Sequence, residues 1–202
     1  MNRFFITGTD TDCGKTYVTR RLLETTPRSL AIKPVASGCI RIGSDLVSVD
    51  AQQLQYQGTL SLNEINPWRF KASASPHIAA REAGERLSVE DLAAYCLKLE
   101  VPGFDTLFIE GAGGLMVPLN EEHTWIDFLQ LTQIPVILVV GMRLGCINHA
   151  LLTQTAMEAN GIRCAGWIAN CLDPDMDYLS ENLATLTDTL KYPLLRTIGY
   201  LA

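Results

Sequence analysis

Short apolar runs alternate with amphipathic stretches along the chain. The apolar runs have the length of buried strands and lie at 3–7, 30–35, 106–109, 135–141 and 166–170. The stretches between them repeat apolar residues every three or four positions, as amphipathic helices do. This alternation predicts an α/β fold, a three-layer, doubly wound and mainly parallel sheet. Because no repeat, low-complexity tract or linker divides the sequence, we expect a single domain over residues 1–202.

Prolines and capping residues mark the ends of the predicted helices. Pro27 disfavours helical geometry just before it and ends the first helix near Thr25. Ser75-Pro76, and Ser88 with Asp91, are typical helix starts. The predicted helices lie at 15–25, 50–57, 76–84, 89–96, 125–131, 179–190 and in a segment that ends at 160. We expect residues 63–75 to be irregular and 194–201 to form an apolar tail.

Composition and charge narrow the classes of partner. A chain that is 48% hydrophobic can bury a full core, and its net charge of −6 disfavours long-range attraction to nucleic acid or an anionic membrane. The longest apolar segment, 134–142, is far shorter than the ~20 residues that span a bilayer. The N-terminus lacks the long apolar core of a signal peptide. We therefore expect a cytoplasmic protein with neither nucleic acid nor membrane as partner.

The six cysteines indicate no metal or redox site. They form no C-x-x-C pair and no cluster with histidine at metal-ligand spacing. Cys13 differs from the others because it lies in a glycine-rich stretch before a predicted helix, where a thiol can become reactive. We expect iodoacetamide to modify Cys13 faster than an unfolded-peptide cysteine.

The stretch from Gly8 to Thr16 is the strongest chemical signal in the chain. It follows a predicted strand, precedes a predicted helix and ends in Gly-Lys-Thr, as a Walker A phosphate loop does. Five residues separate Gly8 from Gly14, one more than in the Walker A pattern, so this is a variant loop. The alternative is an ordinary tight turn with an exposed lysine.

Two further strand ends offer residues suited to a phosphate site. Lys33 precedes the small residues of 34–38, and Glu110 precedes the glycine-rich stretch 111–114. Ligands of open α/β sheets lie at the carboxyl ends of strands, so Lys33 could face phosphates and Glu110 could hold Mg²⁺. The alternatives are a lysine that reaches solvent and an exposed acid before a flexible loop. Asp50, near a predicted helix start, is by itself more typical of a cap than of a metal ligand.

Taken together, several segments resemble the dethiobiotin synthetase family. The matching segments lie at 7–16, 33–38, 75–77, 110–114, 135–141, 144–149 and 166–170. The resemblance implies a P-loop NTPase architecture and an ATP- and Mg²⁺-dependent cyclo-ligase of biotin biosynthesis. Such an enzyme converts 7,8-diaminononanoate (7,8-diaminopelargonate) and CO₂ into dethiobiotin, ADP and phosphate, through a carbamate and a carbamic-phosphoric anhydride. The anionic carbamate and transferring phosphoryl group both require fixed positive charge.

The same resemblance implies roles for individual residues. The implied catalytic residues are Lys33, Lys15 and Thr11. The implied ATP-binding residues are Asp12, Cys13, Gly14, Lys15, Thr16, Tyr17, Asp50, Glu110, Gly111, Ala112, Gly113, Asn170 and Gly199, with Asn170 at the adenine. The implied Mg²⁺ ligands are Thr16, Asp50 and Glu110. Substrate is expected at Ser37 and at Gly145, Cys146, Ile147 and Asn148. The last four would come from the second subunit of a homodimer.

Some positions depart from the family pattern. Asp12 stands where glutamate is common, and Gly199 stands where proline is common. Because Gly199 belongs to the segment expected to enclose adenine, we predict looser base selectivity. A rival class, the partition- or nitrogenase-reductase-like switch ATPases, has a second lysine early in the P-loop, where this chain has Asp10. A nucleotide-binding module without turnover remains a further alternative.

Overall fold

Ten strands and eight helices form the described part of the chain, residues 1–55, 58–173 and 175–199 of a computed structural model. In chain order they are β1 (Asn2–Gly8), α1 (Lys15–Thr25), β2 (Ser29–Ile32), β3 (Val35–Ala36), β4 (Ile40–Ile42), β5 (Asp45–Val47), α2 (Val49–Leu54), α3 (Leu62–Ile65), β6 (Trp68–Arg69), α4 (Pro76–Glu82), α5 (Val89–Lys98), β7 (Thr106–Gly114), α6 (Trp125–Thr132), β8 (Val136–Met142), α7 (Cys146–Ala159), β9 (Cys164–Cys171), α8 (Leu179–Thr189) and β10 (Leu194–Ile198). Among these residues, none of the helices combines the length and the apolar character that crossing a bilayer requires.

A six-stranded parallel sheet with the order β10-β9-β8-β1-β7-β2 organises the molecule. Every residue of β8 is buried, as expected for a strand covered by helices on both faces. The order reverses beside β1, because β2 and β7 lie on one side of it and β8 to β10 on the other. This confirms the predicted doubly wound sheet and places a ligand crevice at the carboxyl end of β1.

Aromatic packing joins the helical layer to the centre of the sheet. The Phe5 ring of β1 lies 5.1 Å from the Trp125 ring and 5.5 Å from the Phe128 ring of α6, measured between centroids, and all three side chains are fully buried. Trp125 Nε1 also donates to the Ala112 carbonyl at 3.0 Å. This hydrogen bond ties the glycine-rich end of β7 to the core.

The structure corrects several predicted boundaries. The predicted strand 30–35 is two strands, because β2 ends before Pro34 and β3 pairs instead with β6 in a separate two-stranded sheet. Segment 63–75, predicted to be irregular, therefore contains β6 and most of α3. The antiparallel hairpin of β4 and β5 was not predicted.

Two further predictions extend beyond the described residues. The helix expected at 50–57 is α2, which ends at Leu54, and residues 56–57 lie outside the description. The tail expected at 194–201 contains β10 up to Ile198, and residues 200–202 likewise lie outside it.

Candidate active site

The candidate phosphate loop joins β1 to α1, and two of its positions require glycine. Gly14 has a left-handed backbone (φ 85°), and a Cβ there would lie 2.0 Å from Asn170 Nδ2. A Cβ on Gly8 would lie 2.2 Å from Cys13 Sγ. Asp12 also has a left-handed backbone (φ 57°), which aspartate adopts more readily than most residues. The longer glycine spacing is thus accommodated by close contacts within the loop.

Lys15 begins α1 and is buried against its own loop. Its Nζ donates to the Asp10 carbonyl at 2.9 Å and lies 3.8 Å from Cys13 Sγ. The side chain is not the exposed lysine of the alternative interpretation, because only 7% of the residue is accessible. The loop therefore combines a helix N-terminus with a nearby ammonium group, which is the arrangement that holds phosphates.

Parallel register brings the ends of β1, β2 and β7 to one place. Ile6 of β1 pairs with Glu110 of β7, and Ile32 of β2 pairs with Ile109. Lys33 directly follows β2 and therefore lies beside Glu110 although 77 positions separate them. Beyond Glu110 the register with β1 shifts, and the next pair is Gly8 with Gly114. The glycine-rich stretch predicted as a turn is thus a bulged end of β7.

A buried polar cluster forms where these strands end. Lys33 Nζ donates to Glu110 Oε1 at 2.9 Å and also to Asp50 Oδ2. Thr16 Oγ1 donates to the same Glu110 oxygen at 2.7 Å. Glu110 is completely buried, and only 7% of Lys33 is accessible. The alternatives of a solvent-exposed lysine and a solvent-exposed acid are therefore excluded for these two residues.

Electrostatics keep Lys33 charged in this buried position. Burial alone lowers the pKa of a lysine, but the negative charges of Glu110 and Asp50 outweigh it, so the pKa of Lys33 is raised above its ordinary value. The group is therefore an ammonium at neutral pH.

The oxygen atoms of this cluster fit a hard divalent cation. Glu110 Oε2 is buried and has no hydrogen-bond partner among the described residues. Ser48 caps the start of α2 by accepting from the Ala51 N–H at 3.3 Å, and this places Asp50 in the first turn. Within the described ranges no group of three or more His, Cys, Asp or Glu could hold a metal. Two carboxylates and the Thr16 hydroxyl nevertheless suit Mg²⁺, which usually keeps several waters and substrate phosphate oxygens.

The cluster opens into a cavity of about 710 Å³. Twelve of the residues expected at the site line it, namely Thr11, Asp12, Gly14, Lys15, Thr16, Tyr17, Lys33, Ser37, Asp50, Glu110, Ala112 and Gly113. The volume is in the range of pockets that hold small molecules. The phosphate loop, the Lys33 ammonium and the carboxylates of Asp50 and Glu110 therefore all line one cavity.

Sequence reasoning missed one wall of this cavity. The wall consists of Ala36, Gln53, Ser73, Ala74, Ser75, Pro76 and Val117. It forms because Gly38 N donates to the Ala72 carbonyl at 2.8 Å, next to the pairing of β3 with β6. Segment 75–77 was among the segments that carry the family resemblance, but beyond that Ser75-Pro76 was interpreted only as a helix start, and no role at the site was assigned to it.

Some expected residues lie outside the cavity. A Cβ on Gly111 would lie 2.6 Å from Phe5 Cζ, so this glycine is required by packing. Asn170 is buried within β9, and its Nδ2 donates to the Cys13 carbonyl at 2.9 Å. Cys13 itself is only 1% accessible, which restricts access of alkylating agents to its thiol. No atom of the described residues lies within 4 Å of the position that a Cβ on Gly199 would take.

The segment 145–148 is also separate from the cavity. Gly145 (φ 93°) precedes α7, whose N-terminus is capped by no described side chain. Cys146 is buried, whereas the neighbouring Leu144 is 98% accessible. Arg143, just before this segment, donates from Nη2 to Asp10 Oδ2 of the phosphate loop at 2.5 Å. Arg143 thus links the chain just before this segment to the phosphate loop, but residues 145–148 do not line the cavity of their own chain.

Comparison with known sequences gives full-length matches. A family model described as an AAA domain matches residues 2–202. The ATP-dependent dethiobiotin synthetase BioD of Legionella pneumophila (strain Paris) is 60% identical over 200 residues, which are 99% of this chain and 94% of that protein. The protein of the same name from Cellvibrio japonicus (strain Ueda107) is 45% identical over 205 residues, covering 98% and 90% of the two chains.

Solved structures with the same fold are more distant in sequence. The MinC:MinD cell division protein complex of Aquifex aeolicus matches with a TM-score of 0.59 at 13% identity, covering 98% of this chain and 81% of that chain. A ParA family ATPase from Chlorobium tepidum TLS matches with a TM-score of 0.56 at 11% identity, covering 99% and 85%. At such identities the likeness shows the P-loop fold alone.

Proposed function

Because the chain belongs to the dethiobiotin synthetase family, we propose that it uses ATP to convert 7,8-diaminononanoate and CO₂ into dethiobiotin in biotin biosynthesis. It is an ATP-dependent cyclo-ligase of the P-loop class. The observation that best supports the detailed proposal is the buried cluster of Lys33, Asp50 and Glu110 beside the phosphate loop. The switch ATPases instead have their second lysine early in the P-loop, where this chain has Asp10.

The proposed chemistry proceeds in three steps. A substrate amine adds to CO₂ and loses a proton to form a carbamate. A carbamate oxygen then attacks the γ-phosphorus of ATP and displaces ADP, giving the carbamic-phosphoric anhydride. The second amine attacks the carbonyl carbon, and phosphate leaves as the cyclic urea closes. Because the carbamate, the transferring phosphoryl group and the mixed anhydride are all anionic, the protein contributes mainly position and positive charge.

We assign a different role in this reaction to each group of residues that lines the cavity. Lys15 and the amides of the phosphate loop would hold the ATP phosphates, and Tyr17 lines the same side of the cavity. Lys33 would stabilise the carbamate and the transferring phosphoryl group. The hydroxyls of Thr11 and Ser37, which line the same cavity, would orient the substrate. Thr16, Asp50 and Glu110 would hold Mg²⁺, which neutralises phosphate charge when bound.

The adenine of ATP and the carboxylate of 7,8-diaminononanoate are proposed to lie outside this cavity. Asn170 would contact adenine through Oδ1, because its Nδ2 already donates to Cys13. An oxygen acceptor suits the amino group of adenine. Gly145–Asn148 would bind the substrate carboxylate at the N-terminus of α7, which favours negative charge. Since this segment lies outside its own chain's cavity, we propose a homodimer in which it completes the partner's site.

The proposed location is the cytoplasm. All six cysteines are free thiols, as is usual where glutathione keeps thiols reduced. The reaction also requires ATP. The net charge of −6 supports a small-molecule enzyme that binds neither nucleic acid nor a membrane.

The decisive experiment is a reconstitution. The protein is mixed with ATP, Mg²⁺, bicarbonate and 7,8-diaminononanoate, and dethiobiotin and phosphate are quantified together. We expect one phosphate released for each dethiobiotin formed, and no more than background release without the diamine. Phosphate release that does not depend on the diamine would contradict the ligase proposal, and ATP binding without any turnover would favour a binding module.

A further inference from the structure

We propose that Lys33 has a second role as the resident counter-ion of the cation site, occupying the metal-binding carboxylates until they take up a divalent cation and then moving into the cavity. The inference rests on the proposed function only for the identity of the ligands Thr16, Asp50 and Glu110. It concerns what happens before any chemistry. Lys33 would thus be delivered to the reacting groups only after the metal site is loaded.

The ion pairs of Lys33 occupy one oxygen atom of each carboxylate that would hold the cation. Its Nζ contacts Asp50 Oδ2 and lies 2.9 Å from Glu110 Oε1. Thr16 donates to that same Glu110 oxygen at 2.7 Å. Glu110 Oε1 therefore already accepts two hydrogen bonds, whereas Oε2 accepts none from the described residues. A divalent cation at Oε2 would therefore lie next to the ammonium at Oε1 of the same carboxylate, and the two positive charges would compete for it.

Burial makes a neighbouring cation favourable at this site. Glu110 is completely buried, and a buried carboxylate is stabilised by a positive charge in direct contact with it. Lys33 is the buried cation in contact with it. An ammonium and a divalent ion repel one another strongly at such short range, so the two are alternatives.

The cavity provides the place to which Lys33 would move. Lys33 lines it together with Thr11 and Ser37, the two hydroxyls proposed to hold the substrate. The four-carbon stem of lysine is flexible enough to redirect the ammonium without backbone movement. Its positive charge would then lie among the carbamate and phosphoryl oxygens instead of the carboxylates.

Lys15 provides a matched control within the same cavity. It also lines the cavity and is equally inaccessible. Its Nζ donates to the Asp10 backbone carbonyl and makes no contact with a carboxylate among the described residues. Removing Lys15 therefore removes one positive charge from the cavity but leaves the Lys33 ammonium in contact with the carboxylates.

Metal affinity tests the competition directly. Mn²⁺ alone, without nucleotide or diamine, is titrated into the intact protein, and free Mn²⁺ is measured by electron paramagnetic resonance. We expect Lys33→Met to bind Mn²⁺ about tenfold more tightly than the unmodified protein and Lys15→Met to change the affinity much less. Equal tightening in both variants would mean a general charge effect and would overturn the proposal. Unchanged or weaker binding to Lys33→Met would overturn it as well.

Chemical labelling provides a second readout on the unmutated protein. Acetic anhydride labelling is followed by mass spectrometry with and without saturating Mg²⁺, using the exposed Lys98 as internal reference. We expect labelling of Lys33 relative to Lys98 to rise severalfold with Mg²⁺, and a Mg²⁺-independent rate would overturn the proposal. Neither readout uses the diamine, so failure here is distinguishable from failure to form dethiobiotin.

Discussion

The proposed reaction centre and the segment 145–148 at the start of α7 differ in how completely one chain builds them. At the reaction centre, Lys33, Glu110 and Thr16 are interlocked by hydrogen bonds and largely buried. The segment 145–148 lies outside the cavity, next to the almost fully accessible Leu144. The difference fits our proposal that one chain assembles the groups for phosphoryl transfer by itself, and that a second copy supplies the contacts to the far end of the substrate.

Strand order is the physical origin of this difference. β2 and β7 lie on one side of β1, and their ends converge on the phosphate loop. β8 lies on the other side of β1, so the loop that follows β8 emerges on the side of the phosphate loop opposite to β7 and β2. The ion pair of Arg143 with Asp10 joins the two regions. Four predictions test the comparison, in decreasing order of expected effect.

Removing Lys33 should affect only the reaction centre. Since Lys33→Ala deletes the charge proposed to act on the carbamate and phosphoryl oxygens, we expect dethiobiotin formation to fall by about 10³-fold while ATP binding is largely retained. Steady-state kinetics and ATP titration measure the two effects, with Lys98→Ala as an exposed lysine control. Loss of ATP affinity with unchanged turnover at saturation would contradict the assignment.

Removing Asn148 should weaken substrate binding by segment 145–148, and the effect should appear in the site of the partner subunit. We expect Asn148→Ala to raise the KM for the diamine about tenfold and to leave the KM for ATP unchanged, because a hydrogen bond to a carboxylate is lost.

Mixing Asn148→Ala with Lys33→Ala tests whether segment 145–148 completes the partner's site or acts within its own chain. In a mixed dimer, one of the two sites would combine an intact Lys33 with an intact 145–148 segment. After subunit exchange, we expect about a quarter of all sites to recover native kinetics at low diamine concentration. If the segment acts within its own chain, mixing will restore nothing.

Breaking the ion pair between the regions should have a smaller effect. The pair is about half exposed, so its contribution to stability is small. We expect Arg143→Met to raise the KM for the diamine about threefold, because the 145–148 segment loses a contact that fixes its position, and Arg143→Lys to retain most of the native value. Unchanged diamine kinetics in Arg143→Met would mean that the pair has no positioning role.

Changing the nucleotide base should have the smallest effect on the kinetics. Among the described residues, no atom lies within 4 Å of the position that a Cβ on Gly199 would take, and Gly199 is the residue that the family resemblance implies near the base. We therefore expect kcat/KM for ATP, GTP and CTP to differ by less than about tenfold, since base contacts distinguish nucleotides only where the base is enclosed. A strong preference for ATP over GTP and CTP in these measurements would contradict the predicted loose base selectivity.

Much of the candidate site was predictable because it depends on local patterns. The phosphate loop is contiguous in sequence, and Lys33 and Glu110 each stand at the end of an apolar run. The wall formed by Ser73 to Pro76 was not predictable, because it requires β3 to leave the main sheet and pair with β6. Pro34 lies between β2 and β3, but nothing in the sequence identifies β6 as the new partner.

The sequence by itself determined the strand and helix alternation, the variant phosphate loop and the family to which the chain belongs. Periodicity and glycine spacing act over a few residues, so they can be interpreted without a partner segment. Only the tertiary structure decided that Lys33 contacts Asp50 and Glu110 and that 145–148 does not enter the cavity. Both depend on the order and register of strands distant in sequence, which side-chain packing across the whole sheet selects.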